Sequence, residues 1–175
     1  MKNDLVQQNT ALLEQGIQLL REIPDRAYTS HAGDAPAPAL GPHFRHCLEF
    51  FGCFFDGLDR RIVDYGSRAR RRDLETDRSV AIRELERTIE RLSELPPETF
   101  GQALELRREV PAKEGRTESF GSTIGRELQF LLSHTVHHYA LIALALRLEG
   151  HTVPAEFGVA PSTLEHWRRE GRVAS

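Results

Sequence analysis

Apolar positions recur every three to four residues along most of the chain. Leu5, Leu12, Leu13, Ile17 and Leu20 predict an amphipathic helix from about Asn3 to Glu22, ended by Pro24. Residues 24–41 contain Pro24, Gly33, Pro36, Pro38 and Gly41, which predicts a long loop that covers a site or links elements. A second helix should start at Gly41-Pro42, with proline in the first turn where no amide hydrogen is needed. Its stripe is Phe44, Leu48, Phe51, Phe55, Leu58 and Ile62, widened by Phe50 and Phe54, so burial on two sides is expected. Gly66 and the run from Ser67 to Asp73 break it. Val80, Ile82, Leu85, Ile89 and Leu92 mark a third helix from about Thr76 to Glu94, with Arg/Glu pairs on its outer face and Pro96-Pro97 as its stop.

Residues 103–120 change period. Leu104 and Leu106 alternate with Glu105 and Arg107, and Pro111 and Gly115 punctuate, as in a small β-hairpin. A long fourth helix follows from about Ser122 to Glu149, apolar around much of its circumference and stopped by Gly150. A short last helix should begin at Ser162, whose spacing to Glu165 is that of a capping box. The expected fold is therefore all-α, a four-helix bundle. It has a long loop after the first helix, a hairpin between the third and fourth, and a short C-terminal helix, all in a single domain over 1–175.

Composition narrows the class. The 175 residues carry a net charge of −3 and a pI near 6.2, which disfavours a nucleic-acid partner. The longest apolar run, Tyr139–Leu146, is far short of the roughly twenty residues that span a bilayer, and the N-terminus has no signal-peptide core. No membrane partner is expected. Cys47 and Cys53 lie six apart in one helix and point away from each other, so reduced thiols in a cytoplasmic protein are expected.

The eight histidines are the informative feature. His134 and His138 are four apart and project from one helical face, the spacing by which one helix gives two ligands to a metal ion. A histidine pair at this spacing also suits a structural role, hydrogen-bonded in a core or facing water. His137 lies roughly opposite the apolar stripe and is set aside. A third ligand would come from the second helix, which offers His43 and His46. Periodicity alone slightly favours His43. Thr135 stands where an HExxH motif has glutamate, so no built-in base follows His134. His31 falls in the long loop, as a lid residue or facing solvent, and His151 and His166 have no partner at ligand spacing.

The stretch Arg126–Ile142, containing His134-Thr135-Val136-His137-His138, resembles the last bundle helix of the DinB-like family. Gly41–Glu49 resembles the family's histidine-bearing second helix, and Phe157–Thr163 its tail. The resemblance runs over nearly the whole chain and implies a four-helix bundle that holds a divalent metal through His46, His134 and His138. His46 matches because the short apolar-acidic stretch Cys47-Leu48-Glu49 follows it, and His43 becomes the runner-up. The resemblance also makes a homodimer a reasonable expectation. Relatives include thiol-dependent S-transferases and the mycothiol-dependent maleylpyruvate isomerase. The family name refers to DNA-damage induction and implies no polymerase activity.

Three neutral ligands would leave the metal its full charge and an open position, the pattern of a catalytic site. Zinc is the first choice, with nickel or iron as alternatives. Such an ion favours a bound thiol as its nucleophilic thiolate, or activates water for hydrolysis. The leading expectation is a divalent-metal-dependent enzyme that transfers a low-molecular-weight thiol to a small electrophilic substrate. The alternatives are a non-catalytic metal-binding stress-response or interaction bundle, and a plain helical module. Glu49, one turn from His46, could orient its ring or sit as a solvated carboxylate. Arg126 and Glu127 could form a buried or a surface pair. The arginine run 68–72 could bind an acidic cosubstrate or be a solvated loop. Tyr139 and Trp167 are expected to pack, and neither cysteine is expected to act as a nucleophile.

Overall fold

The computed structural model describes residues 4–29, 39–109 and 116–172. Four long helices carry the fold: α1 (Asp4–Glu22), α3 (Leu40–Gly57), α5 (Arg78–Ser93) and α6 (Ile124–Leu148). Helix α1 packs against α5 and α6, and α3 packs against the same two, so the four close a ring around one core. Leu13, Leu20, Phe44, Phe51, Phe54, Leu85, Leu92, Leu128, Leu131 and Tyr139 fill it at 1% exposure or less. Two side-chain caps fix helix starts. Asp77 Oδ1 accepts the Ser79 and Val80 N–H groups ahead of α5, and Thr123 Oγ1 accepts the Arg126 N–H ahead of α6.

Several sequence expectations change. The second helix does not reach Ile62. It ends at Gly57, the chain turns with Arg61 at φ +56°, and Ile62–Asp64 become strand β1. Strand β1 pairs in parallel with β2 (Ala103–Glu109), which pairs antiparallel with β3 (Thr117–Thr123), so the expected hairpin is two strands of a three-stranded sheet. The mainly helical molecule is thus not purely α. Ile62 and Val63 satisfy either period, and a short apolar run does not distinguish a helix end from a buried strand. Val63 is fully buried, and Arg61 C=O accepts the Glu105 N–H at 2.8 Å.

The long loop after α1 opens with a short helix, α2 (Asp25–Thr29); His31, Gly33, Pro36 and Pro38 lie outside the described residues, as do Pro111 and Gly115 of the hairpin turn. The arginine run is not all loop, because Arg72–Thr76 form the short helix α4. Gly41 makes that possible: a Cβ there would lie 2.0 Å from the Glu75 carbonyl oxygen, so only glycine lets α4 seat on the start of α3. The last helix, α7 (Pro161–Arg169), starts one residue early. Pro161 takes the first turn and Ala160 stands at the cap, so the Ser162–Glu165 capping box does not form. Leu164 is the buried residue of α7, while Trp167 is half-buried with the Arg172 guanidinium 5.2 Å from its ring centroid. No helix of the described residues is long and apolar enough to cross a membrane.

Candidate metal centre

Helices α3 and α6 pack against each other and bring one histidine from the first beside two from the second. His46, His134 and His138 each offer a ring nitrogen, and these three atoms lie within 4.8 Å of one another. The ring centroids of His46 are 4.9 Å from those of His134 and 4.7 Å from those of His138, and the His134–His138 separation is 4.7 Å. All three side chains are half-buried.

The rings are neutral at physiological pH. Burial pushes His46, His134 and His138 down to about 4. The neighbouring imidazoles push in the same direction, with Arg68 adding to the effect on His46 and His134. Neutral imidazole is the form that donates a lone pair to a metal. His134 Nδ1 is buried without a hydrogen-bond partner among the described residues, an atom that has lost water and gained nothing from them in return. The donor set and this orphaned nitrogen both fit a divalent cation.

His43, the runner-up from periodicity, stands next to the cluster rather than in it. Its Nδ1 lies 2.9 Å from His138 Nδ1, so one ring donates and the other accepts. Burial, then the His137 charge, lowers its pKa as well. His137 itself is exposed and outside the cluster, as its place on the helix requires. Glu49 takes neither expected role. It is 7% exposed, and its Oε1 accepts the Arg71 N–H at 2.6 Å, with no hydrogen bond to His46 among the described residues. That contact pins the end of the arginine run against α3.

An aromatic wall that sequence reasoning missed borders the triad. The Phe50 ring lies 4.7 Å from His46 and 4.3 Å from His134; Tyr65 stacks on Phe50 at 4.8 Å, and Phe130 stacks on His134 at 5.5 Å. Phe50 follows His46 by four residues and Phe130 precedes His134 by four, so helical spacing was a usable signal for both. Tyr65 had none, because it arrives through the turn after β1. Glu127 holds it there. This fully buried carboxylate accepts the Tyr65 hydroxyl at 2.9 Å, the Ser122 hydroxyl at 2.5 Å and Arg126 Nη1 at 2.9 Å. The Arg126–Glu127 pair is therefore half of each expected kind, with a buried acid and an exposed base.

The thiols stand apart from this chemistry. Burial pushes Cys47 up to about 12 and raises half-buried Cys53 too, which keeps both protonated and poorly nucleophilic. A separate cavity of about 410 Å³ is lined by Cys53, Glu49, Arg71, Glu84 and Arg107 among others, and none of the described histidines reaches it. Tyr139 packs as expected, fully buried and stacked on Phe157 at 4.8 Å.

An alignment 113 residues long, covering 62% of the chain, is 36% identical to FK506-binding protein 5 of Rhizopus delemar (strain RA 99-880). The match spans 28% of that protein, so the chain covers little more than a quarter of its relative's length. No solved structure matches the chain. The sequence profile of the DinB family matches residues 1–168, nearly end to end, and the chain belongs to that family.

Proposed function

We propose that the protein is a divalent-metal-dependent enzyme that transfers a low-molecular-weight thiol to a small electrophilic substrate. The carrying observation is the convergence of three neutral imidazoles from two helices at a half-buried, solvent-reachable position. His46, His134 and His138 would hold the ion, zinc in the first instance. When bound, such an ion supplies Lewis acidity that favours a thiol as its thiolate.

The chain's own residues do the rest. His43 positions His138: with both rings neutral, a proton on His138 Nδ1 shared with His43 leaves Nε2 as the lone-pair donor. Phe50, Tyr65 and Phe130 present an apolar wall to a carbon skeleton and restrict water on that side. Glu127 holds the wall in place through Tyr65. A non-catalytic metal-binding bundle is the second reading, favoured by a cluster that is three histidines with no carboxylate base among the described residues.

The test starts with protein purified without a nickel column. One equivalent of bound metal, lost in His138→Ala, supports the site. Conjugation of glutathione, mycothiol or bacillithiol to a chlorinated or epoxide electrophile, abolished by chelator and restored by zinc, supports the enzyme. Metal without turnover across that panel selects the second reading, and absence of metal overturns both.

A further inference from the structure

Three guanidinium groups gather on the side of the bundle that carries the histidines, and two are already spoken for. Arg45 Nη1 lies 2.5 Å from Glu75 Oε2, and Arg126 Nη1 lies 2.9 Å from Glu127 Oε1. Farther along the same run, Arg71 is shared between Asp73 and Glu84. Arg68 differs. It is half-buried, and among the described residues no carboxylate and no hydrogen-bond acceptor pairs with it. Its guanidinium carbon sits 4.9 Å from the centroid of the Phe50 ring, the ring that touches both His46 and His134.

An unpaired cation one aromatic ring from a cluster suited to a second cation is unfavourable in the free protein. Each positive charge raises the cost of the other, and the partly buried setting screens them less than bulk water would. An anion between them relieves both. Guanidinium offers a planar fork of N–H donors that matches a carboxylate in bidentate fashion, and the Phe50 ring beside it limits where that fork can move. The backbone supports the placement. The turn after β1 is closed by Asp64 Oδ1 accepting the Gly66 N–H, and the run is pinned beyond Arg68 by Glu49 accepting the Arg71 N–H.

Resting on the metal-and-thiol reading above, we propose that the thiol entering this centre carries a carboxylate and that Arg68 is the residue that selects it. The thiol sulfur faces the histidines, the carboxylate meets Arg68, and the intervening carbons lie against Phe50 and Tyr65. Neutral thiols lack the group that offsets the Arg68 charge and bind less well. This makes Arg68 a specificity determinant that bonds the substrate directly.

The test uses the full-length protein loaded with cobalt(II) and two probes of equal length, 3-mercaptopropionate and 3-mercapto-1-propanol. Near-ultraviolet thiolate-to-cobalt charge-transfer absorption reads binding without turnover. The wild type is expected to bind the carboxylate probe at least about tenfold more tightly than the alcohol, with the gap narrowing as salt rises. Arg68→Gln should erase the gap while the cobalt ligand-field bands stay in place and the alcohol loses far less affinity than the acid, and Arg68→Lys should restore part of it. Equal binding of the two probes by the wild type overturns the proposal, as does a gap that survives in Arg68→Gln. An equal loss for both probes in the variant shows Arg68 to be structural and overturns it too. If cobalt does not bind, or neither thiol gives the absorption, the metal-and-thiol reading itself fails and takes this proposal with it.

Discussion

Helices α3 and α6 each present two faces to quite different surroundings. One face of the pair carries Phe44, Phe51, Phe54, Leu128 and Tyr139, all at 1% exposure or less. The other carries His46, His134 and His138, half-buried and bordered by Phe50 and Phe130. The first face is a core that stabilises by burial of apolar surface. The second replaces apolar side chains with imidazoles, at the cost of an unpartnered buried nitrogen on His134. The same pair of helices thus separates stability from chemistry by rotation about the helix axis. Substitutions on one face should leave the property of the other intact.

The largest expected effects put that separation at risk. Phe54→Ala opens a void beneath a fully buried ring and should cost about 3–5 kcal/mol in urea unfolding. Its metal content per folded chain should match the wild type. His138→Ala should do the reverse, losing bound metal altogether while metal-free stability shifts by about 1 kcal/mol or less. Metal analysis beside urea melts checks both, and a His138→Ala chain that retains a full equivalent breaks the comparison.

A smaller effect separates His43 from His46. If His43 orients His138 rather than binding metal, His43→Ala keeps one equivalent and weakens affinity about 10–100-fold, read by chelator competition. His46→Ala removes the site outright. Equal loss in the two variants would place His43 among the ligands.

Gly16→Ala sharpens the core side. A Cβ at this buried position of α1 would lie 2.0 Å from Tyr139 Oη and 3.3 Å from a Phe44 ring carbon. Alanine gains about 1 kcal/mol over glycine in a helix interior, yet overpacking typically costs about 1–3 kcal/mol. Because Tyr139 is fully buried and stacked on Phe157, its ring has little room to retreat. Net destabilisation is expected in thermal melts, with metal binding unchanged.

How legible this molecule was in its sequence follows from which contacts are local. The stripes of α1, α3, α5 and α6 repeat within each helix, so four helices and their inward faces could be read directly. The pair His134 and His138 was legible for the same reason. The choice between His43 and His46 was not, because it depends on how α3 rotates against α6. Family resemblance, not periodicity, named the histidine that the structure brings into the cluster. Strand β1, Tyr65 and Arg68 depend on a parallel pairing across more than forty residues, Ile62 with Glu105, which no local window contains. The mistaken part for Glu49 has a similar origin. One helical turn from His46 placed it near enough to matter, but its partner, the Arg71 N–H, belongs to a chain reversal that helix geometry does not foresee.

The smallest effects come from two tyrosines that are buried equally and bonded differently. Tyr28 and Tyr139 are both fully enclosed. The Tyr28 hydroxyl donates to the Leu74 carbonyl, which ties α2 across to α4, whereas the Tyr139 hydroxyl has no partner among the described residues. A buried hydrogen bond contributes about 1 kcal/mol net, and an unmet buried hydroxyl costs a similar amount. Tyr28→Phe should therefore destabilise by about 1 kcal/mol and Tyr139→Phe should stabilise by about the same, each as a shift of the urea midpoint at constant slope. The opposite signs matter more than the sizes, since both substitutions remove the same single oxygen. Tyr139 sits beside His138 in sequence, yet its ring belongs to the core face of α6. Unchanged metal affinity in Tyr139→Phe would mean that adjacent residues on one helix serve two independent ends.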